Sequence, residues 1–203
     1  MASQGKRVDR RIIRSRKAIV EAFERLLVDR DLEKITVSAI AREANIDRKT
    51  FYVHFGTIDG LMDAVAEDIV NDIVDEVQAA LHGKSAKEEP ETALRTFFTT
   101  LNEVVCSNLV VNRRFVESTH TEALLKRIRS AFKRIIVDRA LFPVTVPEDL
   151  FDYYLTFLFG GIISVYRHWM VADEDTDIER VSDVARRLTM GGLSGVETGE
   201  QPA

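Results

Sequence analysis

Apolar residues recur along this chain with a helical period from near Asp9 to near Met190, and no segment alternates as a half-buried strand would. The pattern predicts an all-α fold of about nine helices. The first runs from Asp9 to Asp29 with Ile19, Ala22, Phe23, Leu26 and Leu27 on one face, followed by a polar bend to Lys34. Thr57 is placed to cap a long fourth helix marked by Leu61, Val65, Ile69, Ile73, Val77 and Leu81. His82 to Glu91, containing Gly83 and Pro90, is the most loop-like internal stretch. A fifth helix carries Leu94, Phe97, Phe98, Leu101, Val104 and Val105, and a short sixth spans Asn112 to Glu117. Capping boxes at Thr119/Glu122, Thr145/Glu148 and Thr176/Glu179 open the seventh, eighth and ninth, which end near Leu141, Val171 and Met190. Residues 191–203 form a glycine-bearing tail expected to be disordered.

The segment between the first and fourth helices is the most specific in the chain. In TVSAIAREANIDRKTFYVHF, Val37, Ile40, Ala41 and Ala44 fall at i, i+3, i+4 and i+7, with Thr36 ahead of them as N-cap. Asn45 ends this second helix, because asparagine tolerates a left-handed backbone. Ile46 points back to the core, and Asp47 caps the third helix. There Phe51 and Phe55 share one face, while Arg48 with Tyr52 and Lys49 with Val53 share the other. Two short helices, a tight turn and a cationic, aromatic outer face describe a helix-turn-helix that offers its second helix to a DNA major groove.

Thr36, Ile40, Ala41, Ala44, Thr50, Phe51, Tyr52, His54, Phe55 and Leu61 resemble the DNA-binding domain of the TetR family of bacterial transcriptional regulators, over roughly Arg14 to Leu61. Two positions depart from that pattern: Asn45 replaces the usual glycine, and Ile58 replaces a lysine that commonly meets phosphate. The resemblance implies an N-terminal DNA-binding domain (1–58) and a C-terminal ligand-binding and dimerisation domain (59–190). It also implies a dimeric repressor of a near-palindromic operator, released by a small-molecule effector. The other readings are a regulator, including an activator, governed by a partner protein, and more remotely a helical enzyme.

Charge first contradicts and then supports a DNA partner. The formal net charge is −5, but residues 1–61 hold 13 Lys+Arg against 9 Asp+Glu, a net of +4. Residues 62–203 hold 15 against 24, a net of −9. Lys6, Arg7, Arg10, Arg11, Arg14, Arg16 and Lys17 stand against Asp9 alone in the first seventeen positions. A basic arm on a basic head is the footprint expected for double-stranded DNA. By contact class, Arg48 and Lys49 are expected to read bases, and Thr50 and Tyr52 to touch bases or phosphate. Thr36, Val37, Ser38 and His54, with Arg14, Arg16 and Lys17, are expected to position the head on the backbone.

The rest of the chain carries weaker signals. Phe97, Phe98, Leu101, Phe115, Phe132, Tyr154 and Phe157 are the candidates for an effector pocket, which rests on the family resemblance; each reads equally well as core. Phe157, Gly161, Val165 and Trp169, with Val184 and Leu188, are candidates for a homodimer interface, where Gly160 and Gly161 would let a second backbone come close. The lone Cys106 excludes an intrachain disulfide and reads as a small buried hydrophobe in a reducing cytoplasm. The charged start predicts no secretory leader, and the longest uncharged run, the 14 residues from Tyr153 to Tyr166, is too short for a bilayer. Asp173, Asp175 and Asp177 open like a calcium loop, but Ile178 and Val184 occupy its glycine and glutamate positions. His54, His82, His120 and His168 have no metal-ligand spacing, and neither a phosphate-cradling loop nor a nucleophile elbow occurs. No cofactor, no metal and no enzymatic activity are expected.

Overall fold

The computed structural model describes residues 10–139, 149–172 and 176–197. Among them every regular element is helical: α1 (Arg10–Asp29), α2 (Val37–Glu43), α3 (Arg48–Phe55), α4 (Ile58–Leu81), α5 (Pro90–Ser107), α6 (Leu109–Ser118), α7 (Thr121–Arg139), α8 (Phe151–Val171) and α9 (Ile178–Glu197), with one 3₁₀ turn at Leu32–Lys34. The chain divides into two compact units, Met1–Val65 and Ala66–Ala203.

In the first unit, α1 buries the five residues its period singled out: Ile19, Ala22, Phe23, Leu26 and Leu27. Ile35, Ala39, Ile40, Ala41, Phe51, Leu61 and Met62 of the same unit are also buried. Val37 and Ala44, expected inside, are only half-buried, and Ala39 takes the central place. The reason is length: on a seven-residue helix the first position and the C-cap lie at the rim of the apolar stripe.

The turn between α2 and α3 follows from three side chains. Ala39 N–H donates to Thr36 Oγ1 at 3.2 Å, satisfying an orphan amide of α2. Beyond the C-cap Ala44, Asn45 adopts φ 54°. Its N–H reaches the Arg42 carbonyl at 3.2 Å, and Ile46 N–H reaches that of Ala41 at 3.0 Å. This is a Schellman closure with asparagine in the left-handed position. Asn45→Ala should cost about 1 kcal/mol of stability in the N-terminal unit, and Asn45→Gly should not; chemical denaturation of the pair checks this.

In the second unit, Phe98, Val105, Val116, Leu155, Phe159, Ile162, Tyr166, Met170 and Ala185 build the main core from α5, α6, α8 and α9. A smaller cluster joins Val70 and Val74 of α4 to Ala131 and Ile135 of α7. The expected α4 stripe is only partly right. Val65, Ile69 and Val77 are half-buried, whereas Met62, Ala66, Val70 and Val74 are buried. A row of strict four-residue steps drifts about 40° per step around a 3.6-residue helix, so the buried face must alternate steps of three and four.

Other boundaries also shift. Pro90 opens α5 rather than lying in the preceding loop, since proline suits the first helical turn, where its missing N–H is not needed. Thr119 does not cap α7: it is extended and buried, and its hydroxyl has no partner among the described residues. Asp177 rather than Thr176 serves the start of α9, accepting Glu179 N–H at 3.0 Å. That helix continues past Met190 to Glu197, because Gly191 and Gly192 weaken a helix by about 1 kcal/mol each without stopping it. Thr145, Glu148, Leu141, Asp173, Asp175 and the basic positions before Arg10 lie outside the described residues.

Candidate nucleic-acid interface

Each end of α3 is set by short-range chemistry. Asp47, extended at φ −80° and ψ 154°, accepts Thr50 N–H at 2.9 Å, and the Thr50 hydroxyl donates to its second carboxylate oxygen at 3.2 Å. The backbone N–H of Thr50, ahead of that hydroxyl, holds the Asp47 carboxyl below the usual carboxylate range. Thr50, expected at bases or phosphate, is thus engaged in the cap. At the other end Gly56 takes φ 68° and returns its N–H to the Tyr52 carbonyl at 3.1 Å. Thr57 then starts α4 as expected, its hydroxyl accepting Gly60 N–H at 2.9 Å.

Gly60 is required by close approach. A Cβ there would lie 2.1 Å from the Phe55 carbonyl oxygen, a backbone atom that cannot step aside. No motif in a single sequence marks this position, because the clash arises only when α3 and α4 meet.

Phe51 pins α3 to the unit's core. It is fully buried, stabilises the head by roughly 1.5–3 kcal/mol, and packs edge-on against Tyr52 at 5.9 Å between centroids. Arg48 and Lys49 are exposed and form no ion pair among the described residues. Tyr52 and Val53 are 54% and 77% exposed. The outward face of α3 is therefore cationic at its start and apolar one turn later, on a helix whose other side cannot shift.

The flanking residues fall into two groups. Thr36 and Ser38 are exposed and Val37 is half-buried at the start of α2. The Thr36 hydroxyl oxygen accepts within the cap, so its proton stays free to be donated. On α1, Arg14 is exposed, and Lys17 is exposed beside Glu21 at 3.7 Å. Arg16 instead folds over the Phe55 ring, its guanidinium carbon 5.7 Å from the centroid. Arg25 Nε donates to Glu43 Oε1 at 2.8 Å and ties α1 to α2.

His54 has a role that the sequence did not indicate. Its Nε2 lies 2.7 Å from Ser15 Oγ, which also approaches the Arg11 carbonyl at 2.8 Å. A carbonyl can only accept, so the arrangement satisfying all three has Ser15 donating to Arg11 and His54 Nε2–H donating to Ser15. This leaves Nδ1 for any outside partner. Burial first, then the charge of Arg16, hold the His54 pKa below its ordinary value near 6.5. The folded head thus favours neutral His54. Its contribution is complete above pH 6.5 and is lost as pH falls through the lowered folded value. Wild-type protein should lose thermal stability on acidification from pH 7.5 to 5.5 more steeply than His54→Gln; equal slopes would remove this role.

Residues 19–65 match the model for bacterial regulatory proteins of the tetR family. This N-terminal segment is a tetR-family DNA-binding domain. Among curated relatives, the uncharacterised HTH-type transcriptional regulator YxbF of Bacillus subtilis is 32% identical over 164 residues, 80% of this chain and 41% of that protein. The HTH-type transcriptional regulator AlkX of Mycobacterium tuberculosis is 39% identical over 66 residues, 32% of this chain and 31% of AlkX. The chain thus spans less than half the length of these curated relatives. A TetR-family regulator from Streptomyces coelicolor shares the fold at a TM-score of 0.62 and 17% identity, over 92% of this chain and 97% of that structure.

In the second unit the pocket candidates scatter. Phe98 is buried, Phe97, Leu101 and Phe132 pack on the same core, and Phe115 is half-buried. Tyr154 is 37% and Phe157 81% exposed, so Phe157 lines no interior cavity. A groove of about 460 Å³ instead runs between α5 and α9, lined by Phe98, Asn102, Glu103, Cys106, Ile178 and Ser182 among others. Beneath it Tyr166 donates to Asn102 Oδ1 at 2.6 Å, and Asn102 Nδ2 donates to Ser182 Oγ at 3.0 Å. Burial pushes the Tyr166 hydroxyl well above its ordinary pKa. Cys106 is exposed on this groove, not buried, because the adjacent Val105 takes the inward position of α5.

Of the interface candidates, Phe157, Val184 and Leu188 are 81%, 53% and 67% exposed, and Gly161 is exposed. Val165 and Trp169 are half-buried, with Trp169 Nε1 donating to the Thr176 carbonyl at 2.6 Å. Within the chain neither interface glycine is needed for close packing. A Cβ on Gly160 would meet only Leu125 at 3.9 Å, and one on Gly161 would meet nothing within 4 Å. Among the described residues no helix is long and apolar enough to cross a membrane, and no group of three or more His, Cys, Asp or Glu could hold a metal.

Proposed function

We propose that this chain is a sequence-specific DNA-binding transcriptional regulator, acting in the cytoplasm as a homodimeric repressor on a near-palindromic operator. One observation carries the reading. Arg48, Lys49, Tyr52 and Val53 face outward from a helix whose inner side is locked by Phe51 and whose ends are fixed by Asp47 and Gly56. A short helix held at both ends, with exposed cations at its start, is what major-groove readout requires. Arg48 and Lys49 take the bases; Thr36, Ser38, Tyr52, Arg14 and Lys17 hold phosphates. The twofold partner covers Phe157, Gly161, Val184 and Leu188, an apolar strip left open on α8 and α9. Here Gly161 gains the use that packing within one chain does not supply.

Release by a small-molecule effector belongs to the same proposal. A fold relative from Thermus thermophilus, FadR, was solved in complex with lauroyl-CoA, at a TM-score of 0.53 and 18% identity. It supports an effector of some kind and leaves its chemistry open. The test is a gel shift and footprint on DNA flanking the chain's own gene, with purified protein alone. A protected near-palindrome is expected; protection only with a second protein present would favour partner control, and no binding in either case would overturn the proposal.

A further inference from the structure

The outward face of α3 carries one side chain that neither the fold nor the proposed cationic contacts employ. Val53 leaves 77% of its surface in water, more than any other large hydrophobic among the described residues of the N-terminal unit. It stands one turn after Lys49 on the same line of the helix, beside the half-exposed Tyr52. Local preference does not account for it, since a β-branched residue is a poorer helix former than alanine at a solvent-facing position. Single apolar side chains are common on protein surfaces. Val53 differs in its setting: it shares a helical face with the exposed cations Arg48 and Lys49, where an apolar side chain attracts no phosphate.

The base edges of a major groove offer one apolar group, the C5 methyl of thymine. We propose that Val53 is a specificity-determining residue that reads a thymine methyl, next to the base pair engaged from Arg48 or Lys49. The inference rests on the DNA-reading function proposed above and adds a base identity to it. Its side chain has no hydrogen-bonding group, so its discrimination comes from burying one methyl against another. Removing one such methyl weakens binding about fourfold per half-site.

The test starts from duplexes selected out of a random library with the purified full-length chain. Each thymine is then replaced in turn by deoxyuridine, which lacks the C5 methyl and keeps O4 and the base pairing. Wild-type protein should lose about fourfold at one thymine of each half-site. Val53→Ala, checked for a wild-type melting temperature, should bind the thymine duplex about sixteenfold more weakly, about fourfold for each half-site, and be indifferent to uracil at that position. Val53→Thr, which keeps one methyl, should retain part of the uracil sensitivity. Identical uracil profiles for wild type and Val53→Ala, or a selected site without thymine, would overturn the assignment while leaving DNA recognition intact. Recovery of no bound duplex would overturn both.

Discussion

Arg48→Ala should lower affinity for the selected duplex roughly thirtyfold or more, one lost contact in each half-site, and abolish preference at that base pair, while non-specific binding stays close to wild type. Arg48 is the first residue of α3, directly after the Asp47 cap, and is exposed without an ion pair among the described residues. Nothing in the fold depends on its charge, so the loss should appear in DNA readout and not in the melting temperature. A bidentate arginine–guanine pair is worth about 1–3 kcal/mol, which sets the size of the effect. Arg14→Ala offers the contrast: a phosphate contact should weaken every duplex alike and reduce the salt dependence. Competition binding with single-base variants separates the two. An unchanged base preference in Arg48→Ala would remove it from the reading surface.

Gly60→Ala should unfold the DNA-reading head. The added methyl would sit 2.1 Å from the Phe55 carbonyl oxygen, so either α4 must move off the end of α3 or the backbone between them must distort. Such overpacking costs on the order of 3 kcal/mol. In a unit of this size that lowers the melting temperature by about 10–20 °C. The loss should be confined to the first unit, and DNA binding should disappear with it. Gly192→Ala is the matched control: it meets nothing within 4 Å on α9 and should stabilise that helix by up to about 1 kcal/mol. A Gly60→Ala protein with wild-type melting would show that the α3–α4 junction has slack the structure does not display.

Much of the head was legible because its determinants are local. Thr36, Asn45 and Asp47 each act on backbone groups within four or five residues, so their types at their spacing predict helix, turn and helix before any tertiary contact is known. Asp47 does more than its spacing indicates, since the same carboxylate also engages the Thr50 hydroxyl. His54 lies beyond that reach. Its partner Ser15 is 39 residues away, and nothing in the motif indicates that this histidine is tied to α1.

The body was less legible for a different reason. Helical periodicity separates two faces of one helix but does not say which neighbour covers a face, and α8 has apolar residues nearly all round. Phe159 and Phe157, two positions apart, end at 3% and 81% exposure. Cys106 was placed inside by residue type and lies outside by the turn of α5. The sequence alone therefore determined the helices, the caps and the cationic front of α3, because these depend on interactions spanning about one helical turn. Only tertiary structure decided that Gly60 must lack a side chain, that His54 braces α3 against α1, and that Val53, Phe157, Val184 and Leu188 stay exposed. Each of these depends on surfaces brought together across many residues, and no local spacing encodes them.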